Sequence, residues 1–344
     1  MLSRSLLPGV DGGFKTVVPE PGDSVHAYMH QLATAYGLPS VRPLLLEVGG
    51  TGPRPFSLAC APRLAELGGV SVKEISQLSG FDGEYEAGTS VWTFGAEKTS
   101  VYPGVNCRRL PLCVECLRTR SSAPGYVHLS AMLACPLHGI RLVAICPNCH
   151  TLLQSHRARL DRCGCRYSFK DLAGDRASED EMVLSSAIYA RISNAPLSGA
   201  KLQSQTGEFD LTVLPLDDLV YLHWALGHVL PNPRPCSLGT RRRLSPSECV
   251  DATKVCLGLL RYPDDIVPVV RSWLDTFKVH SDSGRTVPFG LFRSVLKRLM
   301  RMRGIPMIAR LIAEEFDLLS RRHPFKPALG PQSSPQLALF EDAA

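Results

Sequence analysis

The stretch that decides the fold runs from residue 113 to residue 165 and reads CVECLRTRSSAPGYVHLSAMLACPLHGIRLVAICPNCHTLLQSHRARLDRCGC. It contains four close pairs of metal-ligand residues: Cys113 with Cys116, Cys135 with His138, Cys146 with Cys149, and Cys163 with Cys165. Such short spacing lets two side chains reach one ion from a tight turn, and Cys-Pro-Leu-His-Gly and Cys-Pro-Asn-Cys carry the residues that favour turns. The spacing therefore predicts two closed tetrahedral sites, each holding a structural Zn²⁺ ion.

The spacing leaves the partnership of the four pairs open. Our prediction is the consecutive arrangement, in which residues 113–138 form a site of three cysteines and one histidine and residues 146–165 form a site of four cysteines. A cross-brace that alternates the pairs is also compatible with the spacing. His150 is a substitute ligand because it directly follows Cys149, whereas Cys107 has no partner at this spacing and is expected to be a buried or free thiol.

The predicted sites argue against catalysis. A catalytic zinc keeps an open position for water, and here four protein ligands can fill the shell of each ion. The sequence contains no P-loop, no Gly-x-Gly-x-x-Gly after a strand and no Gly-x-Ser-x-Gly. It also lacks the deaminase arrangement of His-x-Glu followed by Pro-Cys-x-x-Cys. We therefore expect the metal to stabilise the fold and the chain not to be an enzyme.

Composition predicts a cytoplasmic protein of two or three compact units. The chain has 344 residues, of which 44% are hydrophobic, and its mean hydropathy of +0.02 argues against wholesale disorder. No apolar run approaches the ~18 residues that a membrane span needs, and Pro8 and Gly9 interrupt any signal-peptide core. In a reducing cytosol, eight cysteines between residues 107 and 165 are better explained as metal ligands than as disulfides.

Helix signals flank the cysteine-rich stretch on both sides. Residues 19–37 predict an amphipathic helix that begins at Asp23 or Ser24 and ends at Gly37. Two short helices follow, and the second opens on the capping box Ser71-x-x-Glu74. Helix, glycine-containing turn and helix is the outline of a helix-turn-helix, with a small helical docking unit as the alternative.

The resulting fold class is mainly α with small zinc-ribbon or zinc-knuckle elements. Towards the C-terminus, helices are predicted from Ser178, over 216–228, from Ser245, and over 264–277, 289–303 and 305–319. The predicted domains are an N-terminal helix-turn-helix-like domain (15–104), a double zinc-finger region (105–172), an α-helical C-terminal domain (173–322) and a disordered tail (323–344).

Basic residues suggest an anionic partner for the C-terminal third. The chain has a formal net charge of +6, and residues 241–326 hold 17 lysines and arginines against 9 acids. Arg293, Lys297 and Arg301 recur every four residues and predict one basic ridge on a helix. Arg241, Arg242 and Arg243 lie in a linker. These six residues are our candidates for nucleic-acid or partner contacts, with a solvated surface as the alternative.

Several of these stretches resemble the TniQ family of transposition proteins, which includes the TnsD-type target selectors. PEPGDSVHAYMHQLATAYG is similar to the family's N-terminal helix, and GVSVKEISQLSGF is placed like its small helical element. The most specific likeness is residues 113–149, where Cys-x-x-Cys, an aromatic-led segment, Cys-x-x-His-Gly and Cys-Pro-x-Cys follow the family's order and spacing. LLRYPDDIVPVVRSWLDTF and VPFGLFRSVLKRL extend the likeness, which covers roughly residues 17–300.

The resemblance implies a targeting adaptor that performs no chemistry. Such a protein links a target-recognition complex, here a guide-RNA CRISPR effector, to an AAA+ ATPase regulator of the TnsC/TniB type that recruits the transposase. It implies two structural zinc ions on the eight ligands named above, allows a homodimer, and places the protein on the nucleoid when it is bound to DNA. The alternatives are a TnsD-like protein that binds an attachment site directly and a zinc-containing DNA-binding regulator.

Overall fold

A computed structural model describes residues 15–20, 22–49, 56–82, 91–101, 104–120, 122–194, 200–205, 207–232, 243–272, 289–302 and 305–322. About half of these residues are helical. The predicted disordered tail, 323–344, lies outside them. Within the described residues, no helix is both long enough and apolar enough to cross a membrane.

Ten helices have defined bounds: α1 (Val25–Ala35), α2 (Arg42–Glu47), α3 (Ala61–Gly68), α4 (Val72–Ser76), α5 (Val114–Arg120), α6 (Glu179–Ser193), α7 (Leu216–Trp224), α8 (Pro246–Arg261), α9 (Phe289–Arg301) and α10 (Pro306–Arg322). Residues 266–272 are also helical, and α7 continues as a π-helical turn over Ala225–Val229. Capping boxes open α4, α6 and α8, where a serine hydroxyl and a glutamate carboxylate satisfy each other's free backbone N–H groups. Ser24 caps α1.

Short strands accompany the helices: β1 (Phe56–Ser57), β2 (Phe81–Asp82), β3 (Trp92–Phe94), β4 (Glu97–Thr99), β5 (Ala134–Cys135), β6 (Ile140–Arg141), β7 (Lys201–Ser204) and β8 (Gly207–Asp210). The first four form one sheet in the order β1-β2-β3-β4, in which only β1 and β2 run parallel. The sequence reading of residues 15–104 as a helical unit missed this sheet, because strands of two or three residues are too short to show a period-two pattern.

The buried apolar residues form two main clusters. The N-terminal cluster joins α1–α4 with Phe56 and Phe81. The larger cluster joins β3, the cysteine-rich stretch and α6–α10, and its buried residues lie on both sides of residues 104 and 172. The predicted domain limits and the helix-turn-helix interpretation of α3 and α4 stay predictions.

The start of α1 docks directly on the cysteine-rich stretch. The Ser122 hydroxyl and the Gln31 amide donate to the buried Asp23 carboxylate, and the Ser24 amide donates to the Ala123 carbonyl at 3.2 Å. Burial raises the pKa of Asp23. Two segments about a hundred residues apart in sequence are therefore held together by polar contacts that exclude water.

Buried histidines continue this contact. The rings of His26 and His128 contact each other in a tilted arrangement with centroids 4.8 Å apart, and the His30 Nε2 atom lies 3.0 Å from the Ser155 carbonyl oxygen. Burial lowers the pKa of His30 to about 3 and that of His128 to about 4, and it lowers the pKa of His26 well below the usual value. His223, buried between α7 and α8, behaves in the same way, with a pKa of about 4. These side chains are neutral in the folded protein near pH 7.

We expect the free energy of unfolding to fall as the pH is lowered from 7.5 to 5.5. The unfolded chain gains protons near pH 6.5, whereas buried histidines with lowered pKa values stay neutral, so each one costs roughly 1.4 kcal/mol at pH 5.5. Urea unfolding with zinc in excess measures the loss. His30→Gln should weaken the pH dependence by about one histidine's share. A pH dependence in His30→Gln equal to that of the unaltered protein would refute the explanation.

The basic helix α9 is anchored by one of its own arginines. Arg298 pairs with Asp217 at 2.5 Å and lies 3.9 Å from the centroid of the Tyr221 ring. Asp217 also accepts from the Thr99 hydroxyl and the Ser100 amide, each at 2.8 Å. One carboxylate at the start of α7 thus joins α9 to the end of β4.

Candidate metal centres

The inner centre is the group Cys113, Cys116, Cys135 and His138. Cys113 directly precedes α5, Cys116 lies in its first turn, Cys135 ends β5, and His138 lies in the turn between β5 and β6. The Cys116 amide donates to the Cys113 sulfur at 3.4 Å. A helix start and a two-stranded hairpin therefore present the four side chains to one point.

The inner-centre distances fit a tetrahedral ion. The Cys113, Cys116 and Cys135 sulfurs each lie 3.4 Å from His138 Nδ1, and the Cys116 and Cys135 sulfurs are 3.7 Å apart. With metal–sulfur bonds of about 2.3 Å, the edge of a tetrahedron of thiolates is about 3.8 Å. A disulfide needs about 2.05 Å, so these contacts are not disulfides.

The outer centre is the group Cys146, Cys149, Cys163 and Cys165. The Cys146 and Cys165 sulfurs are 3.7 Å apart and those of Cys149 and Cys163 are 3.5 Å apart. Thr151 adds a hydroxyl 3.0 Å from the Cys149 sulfur and 3.6 Å from that of Cys163. The ligand atoms of each centre all lie within 4.8 Å of one another, so the structure groups the pairs consecutively and both groups can hold a metal ion.

The two centres repeat one turn geometry. The Gly139 amide donates to the Cys135 carbonyl at 2.8 Å, and the His150 amide donates to the Cys146 carbonyl at 2.9 Å. Both acceptors are the first cysteine of a pair, and both donors follow the second ligand. Gly139 has φ 65° and His150 has φ 57°, so the residue after the pair adopts the left-handed conformation in each centre. His150 itself is exposed and is not a member of the outer group.

The centres differ in burial. The three cysteines of the inner centre are buried, whereas in the outer centre only Cys146 is buried and Cys165 is exposed. Burial raises the pKa of Cys146 to about 12, and hydrogen bonds with Cys113 and Cys135 raise the pKa of Cys116. Thiols this close resist joint ionisation because of their mutual repulsion, which a divalent cation offsets.

Arg157 fixes the backbone around the outer centre through its buried side chain. Its buried guanidinium donates to four carbonyl oxygens, those of Leu110, Gln154, Arg159 and Leu160, at 3.0 to 3.4 Å. Burial lowers the pKa of Arg157 to about 10, while the charges of Cys163 and Asp161 oppose that shift. The cation is held by backbone dipoles and by the negative charge of the outer centre. Sequence reasoning missed this role, because an arginine beside other arginines looks like a solvated charge.

The predicted nucleic-acid residues are only partly described. Arg241 and Arg242 lie outside the described residues, and Arg243 is half-buried beside Arg109, whose guanidinium donates to the Leu244 carbonyl at 3.0 Å. Arg293 lies on α9, and on the same helix Lys297 and Arg301 are both exposed, four residues apart. Their contacts with nucleic acid or partners stay predictions.

Cys107 lies in the larger buried cluster, with its sulfur 3.9 Å from the Gly80 carbonyl oxygen, outside both metal groups.

No protein-family model matches the chain, and no curated protein matches it at a significant level.

Proposed function

We propose that this chain is a TniQ-type targeting adaptor of DNA transposition that uses two structural Zn²⁺ ions and performs no catalysis. In this role it links a guide-RNA CRISPR effector bound at the target to an AAA+ ATPase regulator, which recruits the transposase. The proposal places the protein in the cytoplasm, on the nucleoid when it is bound to DNA. It includes a zinc-ribbon character for the two centres and a helix-turn-helix character for α3 and α4.

The observation that carries the proposal is the closure of both centres by four protein ligands. Tetrahedral sites of Cys₃His and Cys₄ composition are typical of structural zinc, and they leave no position for a reacting water. Six of the eight residues that close them belong to residues 113–149, the stretch with the most specific likeness to the TniQ family. A second stretch with that likeness, the start of α1, contacts the first through Asp23 and Ser122.

The alternative within the same family is a TnsD-like protein that binds an attachment site in DNA directly. The exposed cations Lys297 and Arg301 on α9 are compatible with either role, since phosphate groups and acidic protein surfaces attract them equally. A zinc-containing DNA-binding regulator outside transposition is the third candidate. The presence of CRISPR effector and transposition genes beside this gene favours the adaptor.

Co-purification tests the adaptor role. The tagged chain, expressed with the neighbouring ATPase and effector genes, should retain both partners, and Arg301→Ala should lower the recovery of at least one of them by several-fold. Arg310→Ala is the matched control, because Arg310 is an exposed arginine on the next helix that pairs only weakly with Glu314. Recovery that is unchanged by Arg301→Ala would contradict the role given to α9. Tight sequence-specific DNA binding by the isolated chain would favour the TnsD-like alternative.

A further inference from the structure

The outer module, residues 145–170, exposes three cations. Arg162, Arg166 and Lys170 are exposed, and Arg162 and Arg166 form no ion pair with an aspartate or glutamate of the described chain. The charge of Lys170 acts on the Asp161 carboxylate, which is paired with Arg159. Three cations near the inner centre are instead paired: Arg118 with Glu115, Arg120 with Glu20 and Arg141 with Glu181. The two modules share a turn geometry but differ in the charge that they present to solvent.

The backbone brings these cations into one pair of segments. Residues 161–163 run antiparallel to 167–169, with Arg162 opposite Ser168 and the Phe169 amide donating to the Asp161 carbonyl at 2.9 Å. Lys170 directly follows the second segment, in a turn where the Leu172 amide donates to the Phe169 carbonyl at 3.3 Å. Arg162 therefore lies on one segment and Lys170 at the end of the other, and Arg166 lies in the connection between the two.

The outer module also keeps side chains where the backbone favours glycine. Arg166 directly follows a ligand and has φ 71°, and His150 occupies the equivalent place after the other pair. The inner centre has Gly139 at this place. A non-glycine residue in the left-handed conformation is strained by about 1 kcal/mol or more, and such strain persists mainly at functional sites. Both strained residues are exposed, and Arg166 carries a cationic side chain.

The net charge of the outer module stays positive when a divalent metal ion is bound. Residues 145–170 contain five arginines and lysines and one aspartate. A divalent ion bound by four thiolates contributes −2, so the module retains a net charge of about +2. Because Arg157 is buried and Arg159 is paired with Asp161, the charge available to a partner comes mainly from the exposed cations Arg162, Arg166 and Lys170.

We propose that the outer module binds the phosphate backbone of nucleic acid through Arg162, Arg166 and Lys170, with double-stranded DNA as its ligand. Arginines hold phosphates through paired N–H donors, and a contact of this kind depends on charge and not on base sequence. The inference rests on the proposed function in one respect: an adaptor at a target complex needs a contact with the DNA beside it.

Fluorescence anisotropy with a short labelled duplex of arbitrary sequence tests the proposal on the full-length protein. Arg162→Gln/Arg166→Gln should weaken binding at least about fivefold at low salt and reduce the slope of log affinity against log salt by about 1.8. The control Lys201→Gln/Arg310→Gln removes the same charge from exposed, ion-paired positions elsewhere and should change affinity less than about twofold. An equal loss in both double variants would reduce the effect to net charge and overturn the proposal.

The Arg166→Gly variant distinguishes a loss of DNA binding from a loss of folding stability. Glycine relieves the left-handed strain, so the melting temperature should stay the same or rise and the protein should keep two zinc ions, while DNA affinity falls about threefold or more. Unchanged affinity in this variant would overturn the role of Arg166. Tighter binding of a single-stranded RNA of the same length than of the duplex would sustain the phosphate site and assign it to the guide RNA. The adaptor role is tested by co-purification with α9 variants, whereas the phosphate site is tested by DNA binding with outer-module variants. Failure of one proposal therefore leaves the other standing.

Discussion

Cys116→Ser is expected to abolish the folded state of the protein at 25 °C. Cys116 is fully buried at the inner centre, where its sulfur lies within 3.7 Å of both Cys135 and His138. Metal binding to a structural site of this kind contributes on the order of 10 kcal/mol or more, which rivals the entire stability of a typical domain. Soluble expression, limited proteolysis and zinc content measure the loss together.

The matched control for this variant is Cys60→Ser. Cys60 is half-buried outside both centres, and its thiol donates to the Val48 carbonyl at 3.2 Å, a bond that a serine hydroxyl can keep. It should remain soluble with two zinc ions per chain and lose less than about 1 kcal/mol. A compact, protease-resistant Cys116→Ser protein that holds a single zinc ion would show that the inner centre does not hold the fold together.

Arg157→Met is expected to lower the free energy of unfolding by about 3 to 5 kcal/mol. Methionine keeps most of the apolar stem but removes every side-chain donor, so the buried carbonyl groups of Leu110 and Leu160 lose the guanidinium that donates to them. It also removes the buried cation nearest to the thiolates of the outer centre, so zinc affinity there should fall. Urea denaturation and competition with a chromophoric chelator report the two effects.

Arg159→Met is the control for Arg157→Met. It lies two residues away, is exposed and pairs only with Asp161 at 3.0 Å, so its loss should cost less than about 1 kcal/mol. Similar destabilisation in the two variants would mean that the carbonyl contacts of Arg157 are not responsible.

Local signals in the sequence predicted the helices that open on a capping serine, but not α2 or α5. Ser71, Ser178 and Ser245 are N-caps in the structure as predicted, and Ser24 is the one that caps α1 of the two residues left open, because a capping interaction spans only three residues. The eight candidate ligands form two groups that could hold a metal ion, and each close pair was visible in the sequence because it forms within a single turn. The grouping of the pairs required the structure, because both a consecutive arrangement and a cross-brace satisfy the spacing.

The features that the sequence did not predict depend on distant parts of the chain. Arg298 lies on a helix predicted to be basic, yet its guanidinium is engaged by Asp217 and Tyr221, more than seventy residues earlier. The acceptors of Arg157 are backbone carbonyls, which carry no residue signature. The left-handed backbone conformations of His150 and Arg166 have no signal in the sequence, because neither residue is a glycine. The equivalent residue of the inner centre, Gly139, is of the type that favours this conformation.

The unequal burial of the two centres determines which cysteines react first with oxidants and chelators. Chelators, competing metals and peroxide reach exposed sulfur first, so an ion held at the outer centre would exchange, and its cysteines would oxidise, before those of the inner centre. Damage of this kind would begin at the surface proposed to bind nucleic acid and would spare the contact of Asp23 and Ser24 with Ser122 and Ala123. Oxidation would thus abolish binding at the outer surface before it unfolds the rest of the protein.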